Sequence, residues 1–259
     1  MGIELLVGFS FGLVVATITT PVGVSGAVFL LPVQLSVLHV PSPSVTPTNL
    51  LYNVIAIPGA LVRFRTDRIL WSGLAVRLLL GTVPGVVLGA FVRVFLLPDG
   101  QIFRILVALF LLPIGLMLVL PRDGSWQLRS HRFDARTVTI LGLAAGLVGG
   151  IYGIGGGSLL APVLVAGGYL LTVVAPAALL ATFVTSCMGA ATYALLALAG
   201  HAGAGPDWAL GITCGLGGLV GGYLGARLQP RVPQRGLRVL LGVLAVGLAV
   251  MYLVQAARA

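Results

Sequence analysis

Several stretches of 18 or more residues in this chain run without a single Asp, Glu, Lys or Arg. A run of that length and character spans the hydrocarbon core of a bilayer as a helix, and inside lipid it must satisfy every backbone polar group by itself. The remaining composition agrees. Hydrophobic residues make up 58% of the 259 positions and charged residues 8%, and mean hydropathy is +1.11. A water-soluble domain needs about 25% charge to cover its surface. The chain therefore reads as a polytopic, all-α membrane protein. Its opening, MGIELLVGFS, lacks the basic region of a cleaved signal peptide and reads as the start of a retained first helix.

All 15 basic residues are Arg, and they gather in a few interhelical loops, so the net charge of +9 reads as positive-inside anchoring and not as nucleic-acid binding. Cys187 and Cys214 both sit in apolar segments, where packing is expected and a disulfide or metal site is not.

The stretch GGIYGIGGGSLLAPVL, residues 149–164, holds six glycines. It is not a nucleotide loop. A phosphate-binding loop needs a lysine after its glycines and this chain has none; a dinucleotide fingerprint needs a preceding strand and an acid about 20 residues on. No acidic residue lies between Asp134 and Asp207. The same glycines make sense as a broken membrane helix.

Apolar segments fall at 3–20, 24–39, 45–63, 70–97 and 102–120, and again at 137–150, 157–172, 174–199, 208–226 and 236–255. The two sets are similar in order. A shift of 130 lays PVGVSGAVFLLPV (21–33) over IYGIGGGSLLAPV (151–163), matching Gly23 with Gly153, Gly26 with Gly156 and Pro32 with Pro162. Gly59 falls on Gly189 at the same shift, and a shift of 136 lays Gly81, Gly85 and Gly89 over Gly217, Gly221 and Gly225. Residues 1–120 form the first repeat, 121–136 a cytoplasmic linker and 137–259 the second repeat.

Arg content differs oppositely between corresponding loops. Arg63, Arg65 and Arg68 follow segment 45–63, whereas LAGHAGAGPDW (198–208) has no Arg; Arg93 and Arg104, offset by Asp99, correspond to the richer set Arg227, Arg231, Arg235 and Arg238. The positive-inside rule then puts equivalent loops on opposite sides, which makes the repeats inverted, with both termini outside. Inversion needs an odd number of crossings per half: five if the first two segments span, three if they fold into a hairpin of half-helices. Segment 137–150 reaches only about 21 Å at 1.5 Å per residue, short of the roughly 30 Å core, and favours the hairpin.

Glycine runs free backbone N–H groups, and in a membrane those must face protein or a water-filled cavity. Where Gly155, Gly156, Gly157 and Ser158 open the next helix, beside Gly153, the bare amides and the positive dipole end form an anion site. Gly23, Ser25 and Gly26 form its partner, and paired interrupted segments in two inverted halves point to a transporter's substrate site. Close helix packing is the competing reading for these glycines, and for the four-spaced Gly81, Gly85 and Gly89 it is sufficient. Asn49 and Asn53, four apart on one helix face, and Thr182, Thr185 and Ser186 are candidate lining residues. The Ser and Thr hydroxyls have an alternative use in bonding the carbonyl one turn back. Arg77 is a candidate anion gate, or it snorkels to the interface. His39 and His201 sit at segment ends as interfacial residues.

No catalytic set, metal site or cofactor is expected. The three histidines and six acids are peripheral, so neither an enzyme nor a carboxylate proton relay is supported. A non-transporting scaffold or accessory subunit is the alternative function, and association with further copies of the chain stays open.

GLVGGIYGIGGGSLLAPVLV (146–165), the weaker copy GVSGAVFLLPV (23–33), TPTNLLYN (46–53) and a last helix opening with Leu-Arg together resemble the TauE/SafE sulfite-exporter family across essentially the whole chain. Members are membrane proteins associated with the movement of sulfite, sulfoacetate and related organosulfur compounds. The resemblance implies a plasma-membrane secondary transporter whose glycine breaks and neighbouring Thr/Asn segments line the path. Ser25 and Ala27 depart from the second repeat, which has Gly155 and Gly157, and Asn49 stands where a small hydroxyl residue is common.

Overall fold

The structure is a computed structural model that describes residues 2–36, 40–65, 72–96, 133–201 and 204–258, with scattered positions from 105 to 120. The described residues are helical throughout, apart from short turns. In chain order the helices are α1 (Gly2–Thr19), α2 (Ala27–Ser36), α3 (Ser42–Arg65), α4 (Gly73–Phe95), α5 (Ala135–Tyr152), α6 (Gly156–Ala166), α7 (Leu171–Leu198), α8 (Trp208–Leu228) and α9 (Gln234–Arg258). Six of them are long and apolar enough to cross a membrane: α1, α3, α4, α5, α7 and α8. α2 and α6, at 10 and 11 residues, are not. At 1.5 Å per residue each reaches only about 16 Å.

Polar residues fix several helix starts. Ser72, Asp134 and Asp207 each accept the backbone N–H three residues on, at 3.2, 3.1 and 3.0 Å. The Thr137 bond also holds the Asp134 carboxyl below its ordinary pKa. This cap extends α5 to residues 135–152, beyond the 137–150 expected. Of this pair, α5 is 18 residues long, more than the 137–150 segment expected, and α6 is short at 11. α6 in turn ends at Ala166 and not at 172, because Gly167 and Gly168 turn the chain, their N–H groups bonding the Val163 and Val165 carbonyls.

Glycine stripes set how the long helices meet. Gly81, Gly85 and Gly89 of α4 lie directly on the Thr139, Leu143 and Leu147 carbonyls of α5. Gly217, Gly221 and Gly225 of α8 lie on the Phe9, Leu13 and Thr17 backbone of α1. A Cβ at any of these positions would overlap the neighbouring backbone, so close packing is their role. The residue numbers rise together in both pairs, so α4 runs parallel to α5 and α8 parallel to α1.

Leu51 and Ile55 of α3 meet Gly211 and Gly215 of α8, again in parallel. Leu50 meets Gly189 of α7, whereas Ile57 and Ala60 cluster with Leu179, so α3 and α7 run in opposite directions. Val86 and Ala90 of α4 meet Gly189 and Tyr193 in turn, which makes α4 parallel to α7. Thus α1, α3 and α8 point one way, and α4, α5 and α7 the other.

Candidate functional site

The chain reverses after both α1 and α5. A tight turn at Thr20–Val22 follows α1, and Gly23 closes it with φ +75°; α5 closes on Gly153 with φ +70°. Left-handed backbone of this kind is open to glycine at little cost and strains most other residues. α6 then folds back on α5, its Gly156 pressed against Gly146 and Gly149. The N-terminus of α6 therefore lies beside Thr82, near the middle of α4, and beside Gly146, toward the C-terminal end of α5. That of α2 lies beside Val15, with Gly26 against the Tyr52 hydroxyl, which also touches Gly218 near the middle of α8.

The two turns meet. The Ser25 N–H donates to Ser158 Oγ at 3.0 Å across 133 residues of sequence. Ser158 Oγ lies 3.1 Å from Thr182 Oγ1, which itself donates to the Ala178 carbonyl at 2.8 Å. With the Thr182 proton so used, the Ser158 hydroxyl is the donor in that pair. Asn53 joins the turns a second time: its Oδ1 accepts from Ser25 Oγ, and its Nδ2 donates to the Gly153 carbonyl at 3.3 Å. Ser25 Oγ also accepts the Ala27 N–H at 3.2 Å, capping α2. No side chain caps α6, whose cap position is Gly155 with φ +71°.

Carbonyls at the end of α5 would otherwise be orphans. Tyr193 donates to Gly150 O at 2.9 Å, Thr46 to Ile151 O at 3.0 Å and Asn53 to Gly153 O. Across the other turn, Gln229 Nε2 donates to Pro21 O at 2.7 Å.

Ser25, Asn49, Asn53, Ser158, Thr182, Thr185 and Ser186 are all buried. Asn49 donates weakly to Ala27 O at 3.4 Å, but its Oδ1 has no partner among the described residues, nor has Ser186 Oγ. Gly155 rests against Thr182 and Ser186, and Gly157 on the Ala178 carbonyl. Thr185 bonds the Ala181 and Thr182 carbonyls of its own helix. Arg77 is exposed on α4, and none of these hydrogen bonds reaches it. Of the two histidines singled out, His39 lies outside the described residues and His201 stacks edge-on with Phe95, ring centroids 4.9 Å apart.

Sequence reasoning missed Tyr52, Thr46, Tyr193 and Gln229. Tyr52 was within reach: the shift of 130 that aligns Gly59 with Gly189 also aligns Tyr52 with Thr182, a residue already singled out.

Among the described residues, six apolar spans around a buried polar centre define a multi-pass, helical membrane protein. Residues 8–252 match the family described as Sulfite exporter TauE/SafE, and the chain belongs to that family. Two relatives from Xylella fastidiosa, each named "Probable membrane transporter protein", are similar over most of their length. The one from strain 9a5c is 25% identical over 234 residues, covering 87% of this chain and 82% of the relative. The one from strain Temecula1 is 25% identical over 235 residues, covering 88% and 82%. No solved structure matches the chain.

Proposed function

We propose that this protein is a secondary transporter of the plasma membrane. It moves a small anion, sulfite or a related organosulfur anion, by alternating access at a site between its two glycine-broken segments. One observation carries the reading: the N-termini of two short helices converge near mid-span, where the Ser25 N–H and Ser158 Oγ meet at 3.0 Å.

Helix N-termini favour negative charge, but each end contributes at most about 2 kcal/mol, far less than the cost of stripping water from an anion. Hydrogen bonds to a charged acceptor add about 1.5–3 kcal/mol each. The amides of Gly155, Gly156, Gly157 and Ser158, and that of Gly26 opposite, are the first donors; the Gly23 N–H is held by Thr20 O at 2.9 Å, and the Ser25 N–H joins only when its bond to Ser158 opens. Ser186 and the weakly bonded Asn49 lie beside them, and Ser158 and Asn53 add their donors when the bridges between the turns open.

The halves act as an inverted repeat. Counterparts α1 and α5, α3 and α7, and α4 and α8 point in opposite directions, and the glycine seams of α4 on α5 and of α8 on α1 share one register. The ends of α3 and α8 carrying Arg63, Arg65, Arg227 and Arg231 face the cytoplasm. Tilting one half against the other would open the Ser25–Ser158 and Asn53–Gly153 bridges to each side in turn. Arg77, exposed near the start of α4, serves the headgroup layer in this arrangement.

The test is counterflow in proteoliposomes with sulfite, sulfate, thiosulfate and methanesulfonate. At least one should exchange well above protein-free liposomes. No exchange of any of the four would refute the reading.

A further inference from the structure

Tyr52 is 1% exposed, and its hydroxyl has no hydrogen-bond partner among the described residues. A buried donor without an acceptor costs stability, and removing the group while keeping the ring's shape is neutral or stabilising. Such a group needs a reason, and its position supplies one. The hydroxyl touches Gly26, at the start of α2, where any Cβ would overlap it, and it also faces Gly218 of α8. Both glycines leave room for the oxygen at a helix N-terminus that favours negative charge.

Beside it lies a hollow of about 10 Å³ bordered by Thr20, Ser25, Gly26, Tyr52 and Gly218, and running on to Ala60 and Gly222. That volume is the size of a single water molecule or one ligand oxygen. Ala60 and Gly222 lie further along α3 and α8, toward the ends that carry Arg63, Arg65 and Arg227. The hydroxyl thus stands between the buried polar centre and the arginine-bearing end of the molecule.

We infer that Tyr52 is a specificity-determining residue of the α2 half-site, whose hydroxyl donates a hydrogen bond to an oxygen of the transported oxyanion. The inference rests on the anion-site reading above and extends it to a residue outside the hydroxyl and amide set. The two halves then differ in a defined way. At the position where the second half carries Thr182, bonded to its own helix and to Ser158, the first half carries a longer side chain with its donor unspent. An oxyanion entering from the arginine-bearing end meets Tyr52 before it meets Ser158.

Tyr52→Phe separates this role from a structural one. Counterflow is measured with whichever of sulfite, sulfate, thiosulfate and methanesulfonate the unaltered protein exchanges fastest, alongside thermal unfolding in detergent and a Ser158→Ala comparison. KM for that anion should rise about tenfold or more, with the maximal rate nearly kept and the unfolding temperature unchanged or raised. An unchanged KM in Tyr52→Phe, with exchange impaired in Ser158→Ala, would overturn the Tyr52 role and leave the anion site standing. A fall in unfolding temperature would also overturn it, because the hydroxyl would then be bonded within the protein. No exchange of any anion by the unaltered protein would remove both readings.

Discussion

Gly155 has a positive φ and no free space where a side chain would go: a Cβ there would overlap Thr182 and crowd Ser186. Gly155→Ala should therefore destabilise the protein by about 1–3 kcal/mol, combining left-handed strain with overpacking, and thermal unfolding would read it. An unaltered unfolding temperature would mean the turn is looser than its geometry indicates. At this scale the sequence was informative where chemistry is costly. Asn53 in an apolar run demands partners, and it has them on both turns. The sequence was silent where a residue has two plausible lives. Tyr52 in an apolar run reads as core, and only its orphaned hydroxyl and the glycines facing it set it apart. Thr182 and Thr185 read as self-bonded residues first and as lining residues second. Among the described residues Thr185 bonds only within its helix, whereas Thr182 does so and also reaches Ser158.

Helices were legible because an uncharged backbone in lipid has few alternatives. Their ends were less so. α5 begins where Asp134 caps it, two residues before the apolar run, and α6 stops at a glycine pair that hydropathy reads straight through. The seam between α4 and α5 was legible as a stripe of glycines at four-residue spacing, though not which helix it met. Because Gly85 lies on the Leu143 carbonyl and Gly146, Gly85→Val should lower stability by about 1–3 kcal/mol. Leu88→Ile, on the exposed face of the same helix, should stay within about 0.5 kcal/mol. Equal thermal stability of the two variants would dissociate the seam from the fold.

At the scale of the whole molecule, the proposal is that two halves of opposite direction carry two helix N-termini to one buried centre. The proposed repetition rests on glycine and proline spacing, the residue types whose positions backbone geometry constrains most. Contact between the two breaks was not visible, since Ser25 and Ser158 stand 133 residues apart and no local pattern joins them. Membrane sidedness decides whether the halves oppose each other as the packing directions indicate. The direct measurement places single cysteines at Arg65, the last residue of α3, and at Gly205, after its counterpart α7, in a Cys187→Ala/Cys214→Ala background. A membrane-impermeant thiol reagent is then applied to each side of sealed vesicles. Labelling of position 65 from the cytoplasmic side alone and of position 205 from the opposite side alone is the predicted result; labelling of both from one side would contradict the account.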